Sequence, residues 1–380
     1  MSMRTIPRPA SAERSIAIVT GSRADFGLLR PVIDAVNAHP QLTGHVLATG
    51  THLVGDTPTI TDVEAAVTVA HTFPMQDTLA PDRLDDSAAV GRGIAAMTSW
   101  LRDHTVDVVL VLGDRIEAFA AASAAAIGGV RVAHIHGGDR AEGIADESMR
   151  HAISKLAHVH LTATPRSTER LVAMGEEPLR THLVGSPSID GLAEIPPLDD
   201  DRYAALGSPE IVLLLHPTGD RHELEVDRAR MLLGTCARDS RVLALHPNHD
   251  PGRHGILEAL EERSDITVRS HLPRAEFIGL LQRVRMIAGN SSAALIECAA
   301  LRVRAVNVGS RQAGREKPPN VINCPEWHDI AINRAVDRGL MEPVLPFRHP
   351  YGDGAAGSRI ADVLATFDPD NHALAKRNTF

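Results

Sequence analysis

Short runs of apolar residues alternate along this chain with longer stretches whose apolar positions recur at helical spacing. SIAIVTG (15–21), HVLATG (45–50), DVVLVLGD (107–114), VRVAHIH (130–136) and HVHLTAT (158–164) form a first series. Each reads as a buried strand, and helical patterns fill the intervals: one from about Gly27, an Ala-rich one over 116–127, and one between the last two strands. Runs of four to eight apolar residues that alternate with helices predict parallel sheet built from βαβ units. The rhythm lapses over 189–208, where prolines, acids and small residues predict a linker. It then restarts with EIVLLLHP (210–217), RVLALHPN (241–248), ITVRSHLP (266–273), MIAGNSS (286–292) and RAVNVGS (304–310). The pattern predicts an α/β chain of two Rossmann-like doubly wound domains, 15–188 and 209–354, facing a central cleft. Residues 1–14 are expected to be a flexible tail. Residues 355–380 are expected to form a helix and tail that pack back on the first domain.

The polar residues gather where strands stop. Arg23 and Asp25 follow the first strand, Asp114 and Arg115 the third, and His136 and Asp139 the fourth. His216, Asn248 and Ser291-Ser292 hold the same station in the second half. Each alone suits an ordinary turn or helix cap. Together they mark one edge, where loops on a rigid frame build a site. In GNSSAALIEC, small residues with free amides lead into a helix, a cradle suited to phosphate. Glu297 in that segment suits either hydrogen bonds from a ribose or an ordinary surface ion pair. Arg23, Arg115 and Arg311 offer bidentate contacts to a diphosphate. The first domain supplies acids at its edge: Asp25, Asp114, Asp139, Glu142, Asp146 and Glu147.

Composition narrows the class. The chain has 380 residues, a net charge of -9 and no basic block, which argues against a nucleic-acid partner. No apolar run reaches the length of a membrane span, and the polar start MSMRTIPRPASAER lacks the apolar core of a signal peptide. Three scattered cysteines fit a reducing, cytoplasmic setting. GxxxxGK[ST] and a GxGxxG after the first strand are both absent, as is HExxH, so neither a nucleotide cofactor nor a metal is expected.

GSRADFGLLRPVI, LVLGDR, HIHGGD, DESMRHAISKLAHVHLTAT, LVGSPSID, LLHP, GNSSAALIE and GSRQAGRE occur here in one order. This combination, from about residue 15 to 365, resembles the hydrolysing UDP-N-acetylglucosamine 2-epimerases of the sialic-acid pathway. The resemblance implies the GT-B fold and, without a cofactor, conversion of UDP-N-acetylglucosamine and water to UDP and N-acetylmannosamine. It implies Asp114 and Asp146 as catalytic carboxylates and His216 near the phosphates and leaving oxygen. It implies nucleotide contacts from Arg23, Arg115, Asn248, Ser291, Ser292, Glu297 and Arg311, with Phe277 lining the uracil pocket. It also implies a homodimer through the first domain. One departure stands out: members with HIEGG carry a proton-transferring glutamate where this chain has His136. Either His136 takes that role, or Asp139 or Glu142 supplies the carboxylate. The same reaction on a UDP- or GDP-linked 2,4-diacetamido or other 2-acetamido hexose remains open, as do a GT-B glycosyltransferase and a non-catalytic nucleotide-sugar binder.

Overall fold

The computed structural model describes residues 13–55, 58–78, 82–141, 146–248, 250–368 and 374–379, without the side chain of Asp146. The expected tail over 1–14 lies almost wholly outside the described residues, and so does Glu142. The strands of the first lobe are β1 (Arg14–Thr20), β2 (Leu42–Thr49), β3 (Val69–Phe73), β4 (Val108–Leu112), β5 (Arg131–Ile135), β6 (Val159–Thr162) and β7 (Thr181–Leu183). Those of the second are β8 (Ile211–Leu214), β9 (Val242–Leu245), β10 (Thr267–Arg269), β11 (Met286–Gly289), β12 (Arg304–Val308) and β13 (Val321–Cys324). They form two parallel sheets, β3-β2-β1-β4-β5-β6-β7 and β10-β9-β8-β11-β12-β13. Helices cover both faces, so the central strands are apolar throughout: VVLVL of β4 is buried at every position.

Alternation along each strand feeds two cores. Ile16, Ile18, Val108 and Leu110 face Leu29, Ile33 and Leu364 on one side. Ala17, Val19, Val109 and Val111 face Met97, Trp100, Ala121 and Ala125 on the other. Small alanines on helix Ile116–Ile127 let it lie close to the sheet. Helix Ala356–Thr366 buries Ile360, Ala361 and Leu364 in the first lobe's core. Its ends are fixed by charge. The Asp190 carboxylate accepts the amides of Ala356 and Gly357 at 3.0 and 2.6 Å, and Arg14 donates to the carbonyls of Leu364 and Phe367, both at 2.9 Å. Acid at the first turn and base at the last both complement the helix dipole.

The segment 189–208 has more structure than a linker pattern suggests. It contains the short helix Asp200–Ala205, and Ile189, Leu192 and Leu206 are buried in the second lobe's core. Its widely spaced apolar residues each insert singly, so no periodicity betrays them.

Asp25 has its place in the fold. It is the third helical residue of Arg23–Ala38, which begins four residues before the expected Gly27. Its carboxylate accepts from the Gly21 and Ser22 amides, each at 2.9 Å, and from the Thr20 hydroxyl at 2.8 Å, while Ser22 caps the Asp25 amide. Both oxygens are thus engaged by the turn after β1. Asp25→Ala should cost about 1–2 kcal/mol of stability, read as a lower Tm; an unchanged Tm would contradict this role.

Candidate functional site

In each sheet, the strand order reverses beside the first strand: between β1 and β4, and between β8 and β11. The crossover helices there leave to opposite faces, which opens a crevice at the carboxyl ends of the strands. Thr20–Ser22, Gly113–Arg115 and His136–Asp139 stand at that edge of the first sheet. His216, Asn248, Asn290–Ser292 and Arg311 stand at that edge of the second.

Asp114 is held by a buried guanidinium. Arg150, on helix Asp146–Leu156, pairs with Asp114 through Nη2 and with Glu147 through Nη1 at 2.6 Å, and Nη1 also donates to the Asp139 carbonyl at 3.3 Å. Burial, then the nearby charges of Arg315 and Arg311, pushes Arg150 down to about 9, still a cation at neutral pH. His134 braces the same loop from below. Its Nε2 lies 2.7 Å from the Gly113 carbonyl, which can only accept, so Nε2 carries the proton and Nδ1 accepts from Ser154 at 3.2 Å. Asp146 opens the helix beside Asp114's partner, but its side chain is outside the described residues.

His136 ends β5 with a φ of 65°, a left-handed conformation that costs a non-glycine residue about 1 kcal/mol or more. The strain aims its ring between two partners. Nδ1 meets the Asp139 carboxylate at 3.1 Å and Nε2 meets the Ser186 hydroxyl at 3.0 Å. Asp139 also accepts from Ser167 at 2.7 Å and lies 3.6 Å from Arg315. Burial raises its carboxyl, but His136, Arg315 and Ser167 together outweigh that and hold it at about 2. A side chain at Gly138 would strike the Ser167 carbonyl at 2.2 Å, so only glycine allows this turn at its φ of 77°.

On the second lobe, Asn290 clamps His216 by its backbone: the Asn290 carbonyl oxygen accepts the His216 amide at 2.7 Å and its amide group donates to the His216 carbonyl at 2.8 Å. The His216 ring accepts the Asn248 amide on Nδ1 at 3.2 Å, which leaves the proton on Nε2. Burial and then Arg311 push this imidazole down to about 3, with Asp250 opposing. Ser291 caps a single 3-10 turn, Ser292–Ala294, rather than a long helix, and the helix Glu297–Leu301 follows. Glu297 is buried and lies 3.5 Å from Arg274. Phe277 is half-buried against the second lobe's core.

The two edges meet. Arg115, from the loop after β4, lies 3.7 Å from Asp250, and Arg311, after β12, lies 3.8 Å from the same carboxylate. Asn248 donates to it as well. Arg115 is fixed in turn by Glu117, 3.2 Å away and 1% exposed. Glu117 packs so tightly beneath the β1 turn that a side chain at Gly21 would come within 2.3 Å of it. Arg23 stands apart, at 2.6 Å from Asp62 on the half-exposed rim. Arg150, Glu117, Asp250 and Ser186 are therefore members of the edge that the sequence pattern did not single out.

Two Rossmann-like lobes with facing loop edges define a GT-B protein of the nucleotide-sugar type. The match to a family model completes the assignment: residues 34–365 fit UDP-N-acetylglucosamine 2-epimerase, and the chain belongs to that family of enzymes. It is 34% identical to a Legionella pneumophila UDP-N,N'-diacetylbacillosamine 2-epimerase (hydrolyzing), over 97% of this chain and 100% of that one. It is 31% identical to a Neisseria meningitidis UDP-N-acetylglucosamine 2-epimerase, over 96% and 98%. Among solved structures, a Neisseria meningitidis UDP-GlcNAc 2-epimerase bound to UDP-GlcNAc superposes with a TM-score of 0.77 at 19% identity, covering 92% of this chain and 99% of that one. Among the described residues, no helix is long and apolar enough to cross a membrane.

The buried imidazoles set a pH dependence. His134 and His216 are held down to about 3 and His158 to about 4, in each case first by burial. The unfolded chain binds these protons below about pH 6.5, whereas the folded chain refuses them until the depressed values are reached. Stability should therefore fall as pH drops from about 6.5 towards 4, by about 1.4 kcal/mol per pH unit for each such group. Asp139 adds a further loss only as pH falls from about 4 towards 2. Thermal melts across this range check the sign, and a Tm that is flat or rising towards pH 4 would contradict it.

Proposed function

We propose that this protein is a hydrolysing sugar-nucleotide 2-epimerase that converts UDP-N-acetylglucosamine and water to UDP and N-acetylmannosamine. The observation that carries the reading is the meeting of the two edges, where Arg115 of the first lobe and Arg311 of the second share the Asp250 carboxylate. Asp250 occupies, between two guanidinium groups, the kind of place an anionic diphosphate suits; on binding, it gives way. Arg115, Arg311, the Ser291 and Ser292 amides and the Nε2 proton of His216 then hold the diphosphate and its leaving oxygen. Arg23, Asn248, Glu297 and Phe277 complete the nucleoside side.

The sugar lies towards Asp114, Asp146 and His136. A C2–H beside an acetamido group is a weak acid, so cleavage of the C1–O bond runs ahead and builds oxocarbenium character. Asp114, presented as a carboxylate by Arg150, offsets that charge. A base on one face removes the C2 proton, the C1–C2 double bond forms, and UDP departs with the electron pair of the C–O bond. Water then adds its oxygen to C1 of the 2-acetamidoglucal while an acid on the other face returns a proton to C2. His136 suits one of these proton transfers. Asp139 fixes its Nδ1 proton and steadies the charged ring, as a carboxylate does for a general-base histidine. An acid–imidazole pair thus stands where other members use a glutamate.

A second substrate is favoured by one observation: the relative at 34% identity is a hydrolysing enzyme of a UDP-linked diacetamido sugar. The two donors share the C2 acetamido group and differ at C4 and C6, away from the reacting carbons. Incubation with each donor alone distinguishes them. Release of UDP and N-acetylmannosamine supports the first reading; UDP release from the diacetamido donor only supports the second; no release without an added acceptor would overturn both. In heavy water the product should carry deuterium at C2, and an unlabelled C2 would exclude elimination. Asp114→Asn should lower kcat by about a hundredfold to a thousandfold, the range for a lost electrostatic contact to the transition state, with UDP affinity retained. Near wild-type kcat would remove Asp114 from the reaction. The family resemblance also leads us to propose a homodimer formed through the first lobe, which sedimentation would test.

A further inference from the structure

Beside the cleft, behind the His136–Asp139 turn, is a cavity of about 540 Å³ that none of the residues assigned above to substrate lines. Its wall is cationic: Arg140, Arg166 and Arg170 come from the first lobe and Arg315 and Lys317 from the second, against a single acid, Glu169. Three of the five are ion-paired, Arg140 with Glu147, Arg170 with Glu316 and Arg315 with Asp139, so the cavity keeps a smaller surplus of positive charge that a bound anion would balance. Part of this charge is already directed. Arg170 spans the lobes, with Nη1 on the Gly138 carbonyl at 3.2 Å and Nη2 on the Gly314 carbonyl at 3.0 Å and on Glu316 at 2.8 Å. Lys317 donates to the carbonyls of Gln312 and Arg315 at 3.1 and 3.4 Å. Arg315 is 8% exposed at its side chain, and its buried Nε has no hydrogen-bond partner among the described residues. Arg315 therefore keeps donor capacity beside the cavity that an oxyanion there can answer once the guanidinium turns.

We infer that this cavity is a second binding site, separate from the nucleotide cleft, for a small multiply charged oxyanion of the phosphate or carboxylate class. Its volume lies within the usual range for small-molecule sites, about 300–1,000 Å³, and planar guanidinium forks match both phosphate and carboxylate oxygens. The site is coupled to the proposed chemistry through one residue. Arg315 lines the cavity and also lies 3.6 Å from Asp139, the partner of His136. An anion that draws Arg315 towards the cavity removes positive charge from Asp139. It also joins cations of both lobes, and so bears on how the lobes sit around the cleft.

The test is calorimetric titration of inorganic pyrophosphate, and separately of citrate, into protein already saturated with UDP. UDP binding is measured first and on its own, so failure of the nucleotide reading is seen independently of this one. One equivalent of pyrophosphate or citrate should bind the UDP-saturated protein, and the stronger of the two identifies phosphate or carboxylate as the preferred group. Arg166→Ala, at an exposed position, and Arg166→Ala with Lys317→Ala should keep UDP affinity. The double variant should weaken the anion by about tenfold or more, as loss of two charge-assisted contacts demands. Absence of binding once UDP fills the cleft, or equal affinity in wild type and double variant, would overturn the inference.

Discussion

The edge of the first lobe depends on one buried cation. Arg150 has almost no contact with solvent, yet it joins Asp114, Glu147 and the Asp139 carbonyl, which come from three separate loops and helices. A buried charge left without its partners is strongly destabilising, by about 3–5 kcal/mol. The arrangement around Arg150 is therefore over-determined: the loop after β4, the turn after β5 and the start of helix Asp146–Leu156 take up their positions together. His134 reinforces this from inside the sheet by linking Gly113 to Ser154. The carboxylates of this lobe are thus gathered at one edge by a cation that itself faces away from solvent.

The opposite lobe solves a different problem. Just past its parallel strands stand Asn290, whose side-chain amide holds the His216 backbone, and Arg311, which reaches towards Asp250. The sharing of Asp250 by Arg115 and Arg311 gives the two lobes a common electrostatic centre. Exchange of that internal carboxylate for a ligand's phosphates preserves the charge balance while the lobes adjust. The chain crosses between lobes at 186–198 and again near Tyr351, whose carbonyl accepts the Ser186 amide at 2.8 Å. The crossing strands lie against each other, a compact place for such adjustment.

Much of this was legible because parallel strands buried on both faces read as continuous apolar runs, as VVLVL does. The strands that escaped notice, β3, β7 and β13, lie at or beside sheet edges; VAHTF turns most of its residues outward and THL is only three residues long. The polar stations at strand ends were visible as well, since a doubly wound sheet has one edge open to ligands. The structural role of Asp25 is encoded locally, since SRAD carries the Ser-x-x-acid spacing of a capping box. Arg150, Glu117 and Asp250 stayed hidden for other reasons. Arg150 and Asp250 act through partners distant in sequence or across the cleft, which no local pattern encodes, and Glu117, two residues from Arg115, reads as an ordinary first-turn acid. The substitution of His136 for a glutamate was apparent, but its pairing with Asp139 and Ser186 required the left-handed turn that only the fold supplies.

The central claim is that one ligand spans both edges, with its diphosphate between Arg115 and Arg311 and its hexose against Asp114 and His136. A crystal structure of the UDP complex tests it most directly. The account predicts phosphate oxygens in contact with Arg311 and the Ser291 and Ser292 amides, and the Asp250 carboxylate displaced from between the two arginines. UDP bound elsewhere, with Asp250 still bridging Arg115 and Arg311, would contradict it.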